Sequence, residues 1–203
     1  MAYTEHYYTK LTGGNFYHVY NRAVDRKPLF TRKRNYAFFL TRMVKYLIPV
    51  LDVYAFCLLR NHFHLLVKIK DFTTLQDLAA FEDLLNLVPN AFKKMFQSYA
   101  MAFNKQENRI GALFQEPFKR SLIDSEEYLI QMVYYIHFNP QKHGLVKNFR
   151  NYQHSSYPLY VQKTEFHWVQ EELYKLFGGY EGFIEFHKNI HEDPDNKYLI
   201  ENE

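Results

Sequence analysis

The sequence holds a single cysteine, Cys57, set within an apolar run. One thiol excludes both a disulfide framework and a zinc site built on cysteines. Long hydrophobic stretches are missing too: no apolar run approaches the roughly 18 residues that a transmembrane helix requires. The opening decapeptide, MAYTEHYYTK, is polar and aromatic where a signal peptide would carry its apolar segment, so no leader is expected. Internal repeats and low-complexity tracts are likewise absent. These absences point to a soluble, cytoplasmic protein without a membrane partner. Its 203 residues and 24.6 kDa suit one compact domain with a small appendage.

What is present is uneven. Apolar residues make up 47% and charged residues 23% of the chain, a globular composition. Aromatic content reaches 19%, with 18 Tyr and 19 Phe against one Trp. The net charge of +3 conceals an asymmetry. Residues 1–70 carry 12 Lys and Arg against 3 Asp and Glu, a net of +9, whereas residues 124–203 carry 7 against 13, a net of −6. A basic half rich in Tyr and Phe suits a partner that offers phosphates and stackable bases. It also suits a solvated basic face around an aromatic core.

Periodicity gives the elements. Asn15–Val24 is rich in strand formers and reads as a first strand, broken by Asp25–Pro28. From Thr31, apolar residues recur at three- and four-residue spacing (Tyr36, Phe39, Leu40, Met43, Val44, Leu47), and Pro49 ends this helix. Val50–Leu59 and His62–Ile69, separated by Arg60-Asn61, predict an antiparallel hairpin of buried strands. Residues 73–106 read as helical with a break near Pro89, and Phe118–Ile123 as a short strand. Asp124 or Ser125 then caps a helix running to about Phe138, since Asn139 precedes a proline. The order β-α-β-β-α-β-α predicts an α+β fold, a ferredoxin-like antiparallel sheet with helices packed on it. Residues 1–150 are expected to form the main domain. Residues 151–203 are expected to form a small helical C-terminal extension, with helices over Val169–Phe177 and Glu181–Ile190 and a frayed acidic end from His191.

The chemistry-bearing residues lie in two places. His62 and His64 are two apart on a strand, so their imidazoles share one face while Phe63, Leu65, Val67 and Ile69 take the other. Two adjacent imidazoles make half of a metal site. With 10 histidines in the chain, chance supplies about 0.5 such pairs, so the pair by itself also suits two ordinary strand histidines. In the later helix, Leu129, Val133 and Ile136 form the core stripe, and Tyr135 and Asn139 stand one turn apart. An amide oxygen from Asn139 would complete a His-His-Asn set whose N and O donors suit Mn²⁺ or Mg²⁺. Spacing alone leaves open that Tyr135 is one of many core tyrosines and that Asn139 merely ends a helix.

The segment His62-Phe63-His64 after a hydrophobic strand resembles the HUH motif of single-tyrosine, single-strand DNA transposases, and is most similar to that of the REP-associated tyrosine transposases. Tyr135-Ile136-His137-Phe138-Asn139-Pro140, followed by Lys142-His143-Gly144-Leu145-Val146, is similar to that family's catalytic-tyrosine helix and its exit. Gly111–Lys119 is similar to the segment before it. The ordered set spans residues 15–150. The resemblance implies that Tyr135 attacks a scissile phosphate, giving a 5′-phosphotyrosine link and a free 3′-hydroxyl, with a divalent Mg²⁺ or Mn²⁺ ion held by His62, His64 and Asn139. Only about a thousandth of a free phenol is ionised at neutral pH, so the cation or a base must assist. His137 lies roughly 200° around the helix from Tyr135 and is poorly placed as that base; Glu116 is an alternative. Tyr134 shares a face with Ile130 and reads as more buried, and the family register selects Tyr135.

The resemblance also implies single-stranded DNA, often a hairpin, as substrate. Asn21, Arg22, Arg26, Lys27, Arg32, Lys33 and Arg34 cluster near the first strand's end and the next helix's start, and are the leading phosphate contacts. Two other readings stay open: a domesticated DNA-binding protein of the same fold that does not cleave, and an unrelated two-histidine metalloenzyme acting on small molecules. The basic half disfavours the second. A monomer and a homodimer with its tyrosine acting in trans are both compatible with the sequence.

Overall fold

Alternating apolar residues place four strands, and the computed structural model, which describes residues 9–71, 81–163 and 169–189, joins them into one sheet. The elements are β1 (Phe16–Arg22), α1 (Lys33–Tyr46), β2 (Leu51–Leu58), β3 (His62–Ile69), α2 (Phe81–Gln106), β4 (Lys119–Ile123) and α3 (Glu126–Lys142). Three short helices follow, α4 (Tyr157–Val161), α5 (Gln170–Leu176) and α6 (Tyr180–Lys188). The strand order is β2-β3-β1-β4 and every neighbouring pair is antiparallel, the ferredoxin-like arrangement the sequence predicts. Each strand boundary lies within two residues of the predicted one.

The sheet buries both faces. On one, Tyr17 and Val19 of β1 and Phe63, Leu65, Val67 and Ile69 of β3 pack with Phe39 and Met43 of α1 and Phe92, Met95 and Tyr99 of α2. On the other, Tyr54, Cys57 and Leu66 pack under α3 and the C-terminal helices. A register shift in β2 between Val53 and Ala55 lets both Tyr54 and Ala55 join this second cluster.

Two predicted breaks do not occur. Pro89 lies inside α2, which is continuous over its described length. A mid-helix proline costs about 3 kcal/mol, but burying Val88, Phe92 and Met95 returns roughly 1.5–3 kcal/mol for each. The predicted stretch before residue 81 lies outside the described residues. Likewise α3 starts as expected, with Ser125 Oγ accepting from the Tyr128 N–H, yet runs past Pro140 to Lys142. Its terminator is Gly144, whose φ of 66° is left-handed. The Gly144 N–H donates to Gln141 O at 3.0 Å and the Leu145 N–H to Pro140 O at 2.8 Å, the paired bonds of a glycine-closed helix end. Asn139 is therefore a residue of the helix body.

Residues 152–160, without period in the sequence, bind the free edge of β2. Leu58 N–H donates to His154 O at 2.9 Å, Ser156 N–H to Phe56 O at 2.9 Å, and the Tyr152 and Tyr160 hydroxyls to Leu58 O and Tyr54 O at 2.7 and 2.6 Å. An exposed strand edge is thereby covered. Helices α5 and α6 fall at the predicted positions. The chain from residue 190, including the predicted acidic end, lies outside the described residues. No helix among the described residues is long and apolar enough to cross a membrane.

Candidate active site

The antiparallel register of β1 on β3 sets Tyr20 opposite His64 and Arg22 opposite His62. Side-chain alternation then brings His18 and Tyr20 to the same face as His62 and His64, the face that α3 covers. His18 Nε2 and His64 Nδ1 are hydrogen-bonded at 2.9 Å, with the two rings nearly parallel at 9° and 5.2 Å between centroids. The Tyr20 ring stacks on both, 4.8 Å from His18 and 5.7 Å from His64. His62 and His64 lie 5.2 Å apart as the alternation predicts, their planes near perpendicular.

Helix α3 lays Tyr135 over this cluster. Its ring meets His64 edge-on at 5.8 Å and His18 at 6.0 Å, and Lys142 Nζ sits 4.9 Å from its centroid on the same helix. Asn139, one turn later, donates from Nδ2 to Tyr135 O at 3.1 Å. Tyr135 and Asn139 are both wholly buried. Tyr134, equally buried, points elsewhere: it packs on Phe138, Phe149, Phe186 and His187, among the C-terminal helices. His137 also turns away from Tyr135, its Nε2 and Nδ1 bonded to Ser156 Oγ at 2.7 Å and His187 Nε2 at 3.0 Å. Glu116 is exposed and lines a separate cleft of about 670 Å³ with Phe96, Phe114 and Phe118.

The donor set can be tested against a divalent ion. His62 Nδ1 is bonded to Asn61 Oδ1 at 2.7 Å and His64 Nδ1 to His18, so Nε2 is the nitrogen each ring would offer. A metal-bound imidazole typically engages its other nitrogen in this way. Asn139 Oδ1 is buried and accepts no hydrogen bond from the described residues, which fits an oxygen reserved for a ligand. Among the described residues no three His, Cys, Asp or Glu side chains form a metal-holding group, so a site here depends on that amide oxygen. Two imidazoles and an amide, completed by water, suit Mn²⁺ or Mg²⁺.

The predicted phosphate contacts separate into three groups. Arg22 and Arg26 stand at the end of β1 and in the turn after it, and Arg26 is exposed. Lys27, exposed, is 3.5 Å from Asp25. Arg32, Lys33 and Arg34 are exposed at the start of α1, where Arg32 lies 3.8 Å from Glu107 and Arg34 Nε donates to Gln106 Oε1 at 2.8 Å. Asn21 is buried: its Nδ2 donates to Gln115 O at 3.1 Å and its Oδ1 accepts from the Arg22 N–H at 2.8 Å. The sequence reading missed His18, Tyr20, Lys142 and His143 as neighbours of the site. His143 was hidden by the misplaced helix end; its ring lies 4.8 Å from that of His62.

A ferredoxin-like sheet that presents a histidine pair beneath a helical tyrosine defines the class of fold. No known family model matches the chain, and no curated protein does. The structure is similar to that of a REP-associated tyrosine transposase bound to a REP hairpin, with a TM-score of 0.60 over 80% of this chain and 87% of that one. The two sequences are 19% identical, so what they share is the fold. The resemblance stated from the sequence and this likeness in structure agree.

Proposed function

We propose that the protein cuts and rejoins single-stranded hairpin DNA with Tyr135 as its nucleophile. The reading rests on Tyr135 lying edge-on to His64, with Asn139 one helix turn away. The phenol oxygen attacks the scissile phosphorus and gives up its proton. The phosphorus–oxygen bond to the upstream nucleotide breaks, and that oxygen takes a proton to become a 3′-hydroxyl. A 5′-phosphotyrosine link results, and attack by a 3′-hydroxyl reverses it. His62, His64 and Asn139 would hold a divalent Mg²⁺ or Mn²⁺ ion, which would supply Lewis-acid polarisation of the phosphate and offset its growing charge.

The remaining groups position the reactants. His18 Nε2, bonded to His64 Nδ1, would accept from an Nδ1–H there and so hold the tautomer that presents Nε2. Lys142, on the ring of Tyr135, holds a positive charge where the phosphate's negative charge gathers. Arg22, Arg26, Lys27, Arg32, Lys33 and Arg34 contact backbone phosphates, and Asn21 holds the Gln115 loop against the end of β1. Residues 1–150 carry the chemistry, and the extension from residue 151 buttresses α3. Because Tyr135 is wholly buried, local opening precedes attack. That burial also favours a second reading, a hairpin-binding protein that does not cleave.

A labelled pool of single-stranded hairpins, run on a denaturing gel after incubation with the protein, separates the two. Strand transfer predicts a covalent adduct that forms with Mg²⁺ or Mn²⁺ and is absent with EDTA. Tight, salt-sensitive binding with no adduct under either condition selects the binding protein.

A further inference from the structure

Beside the histidine pair a cleft of about 400 Å³ opens to the surface, lined by Arg26, Arg60, Asn61, His62 and His143 together with the apolar Pro28, Leu59 and Leu145. Its volume falls in the range of small-ligand sites. Every ionisable side chain that lines it is basic, and no carboxylate does. The acidic residue on the adjoining loop, Asp25, is engaged by Lys27. Neither Arg26 nor Arg60 forms a salt bridge among the described residues. Two arginines that line one cleft without a carboxylate offer a receptor for an oxyanion.

The backbone holds this arrangement at a cost. Asp25 and Arg26 both adopt left-handed φ values, 57° and 54°, a conformation that strains non-glycine residues and persists where surrounding bonds enforce it. Those bonds are present. Ala23 N–H donates to Asn61 O at 2.9 Å, Leu29 N–H to Arg60 O at 2.8 Å, and Asn61 Nδ2 to Arg26 O at 3.3 Å. The turn after β1 is thus stitched to the β2–β3 turn, and two arginines from separate strand ends reach one cleft. The same cleft carries His62 on its wall, and His62 stacks edge-on with both His64 and His143.

We infer that this cleft is a phosphodiester subsite that takes the backbone phosphate next to the one Tyr135 attacks. Arg26 and Arg60 clamp its oxygens, His143 adds a ring N–H, and the apolar wall receives the neighbouring sugar. The inference rests on the strand-transfer reading for the identity of its ligand. It adds Arg60 and His143 to the DNA-contacting residues and gives Arg26 a defined place.

The test is a methylphosphonate scan of the hairpin in the pool that the full-length protein binds most tightly, neutralising one phosphate at a time. Affinity is measured for the wild type, Arg60→Gln, Arg26→Gln and His143→Gln, with thermal melting to show that each variant folds. The expected result is one position beside the scissile bond where neutralisation weakens wild-type binding by about tenfold. Arg60→Gln weakens binding to the unmodified hairpin by a similar factor, and at that position the two losses do not add. Losses that add at every position, or arginine variants that bind as wild type, overturn the subsite, as does failure to bind any hairpin. A non-additive position without any covalent adduct keeps the subsite and overturns strand transfer.

Discussion

Two buried imidazole pairs lie on opposite sides of α3, and they differ in what they leave for chemistry. His137 and His187 are joined at 3.0 Å, and the chain of bonds ends in the backbone, with His137 Nε2 on Ser156 Oγ and His187 Nδ1 on Phe183 O at 2.9 Å. Ser156 Oγ in turn accepts the Phe56 N–H at 3.0 Å. Arg150 donates to His187 O, and the rings of Tyr134, Tyr157 and Phe183 enclose the pair. Every ring nitrogen there is consumed by structure. His18 and His64 are joined almost identically at 2.9 Å, yet they face the Tyr135 ring, and Asn139, one helix turn on, keeps a buried oxygen that accepts no bond from the described residues. One pair ties the C-terminal extension to the sheet; the other faces the Tyr135 phenol. Burial and hydrogen bonding alone do not mark a functional histidine. The chemistry of what surrounds it does.

Substitution sharpens the contrast. His137→Ala removes a wholly buried imidazole and strands Ser156 and His187, so it should destabilise the fold by about 3 kcal/mol in chemical unfolding. Its Mn²⁺ affinity, read by calorimetry under native conditions, should stay unchanged. His18→Leu should do the reverse. It removes the ring bonded to His64 Nδ1, weakening Mn²⁺ binding about tenfold with a smaller stability loss, and His18→Gln should restore part of that affinity. A His137 variant that loses the metal, or a His18 variant that binds it normally, would break the comparison.

A smaller effect concerns His154, whose ring stacks on Tyr36 at 3.5 Å outside both pairs. Burial, and then the Lys33 charge, hold this imidazole below its ordinary value. The unfolded chain therefore takes up the proton first as pH falls through about 6.5. The stability His154 contributes is complete above that pH and lost as the pH drops toward its lower folded value. The melting temperature of the wild type should fall between pH 7 and pH 5, and that slope should be shallower in His154→Gln. An unchanged slope would remove His154 from the account.

Much of this was legible in the sequence, for identifiable reasons. Strict alternation put His62 and His64 on one face, and helical spacing put Asn139 one turn after Tyr135; both relations are local and survive folding. Cross-strand neighbours are not local. His18 meets His64 only because β1 pairs antiparallel with β3 at a particular register, which no spacing within either strand encodes. His143 was missed because proline was read as a stop, whereas the left-handed Gly144 ends the helix. Residues 152–160 carry no period because Tyr152 and Tyr160 are held by backbone carbonyls of β2, a placement that no helical or strand spacing encodes.

The central claim is that, of two adjacent buried tyrosines, Tyr135 carries the DNA. Nuclease digestion of the covalent adduct followed by tandem mass spectrometry of the peptide spanning residues 128–142 tests it directly. The account predicts a residual nucleotide mass on Tyr135 and loss of the adduct in Tyr135→Phe but not in Tyr134→Phe. A nucleotide on Tyr134, or an adduct that survives Tyr135→Phe, would contradict it.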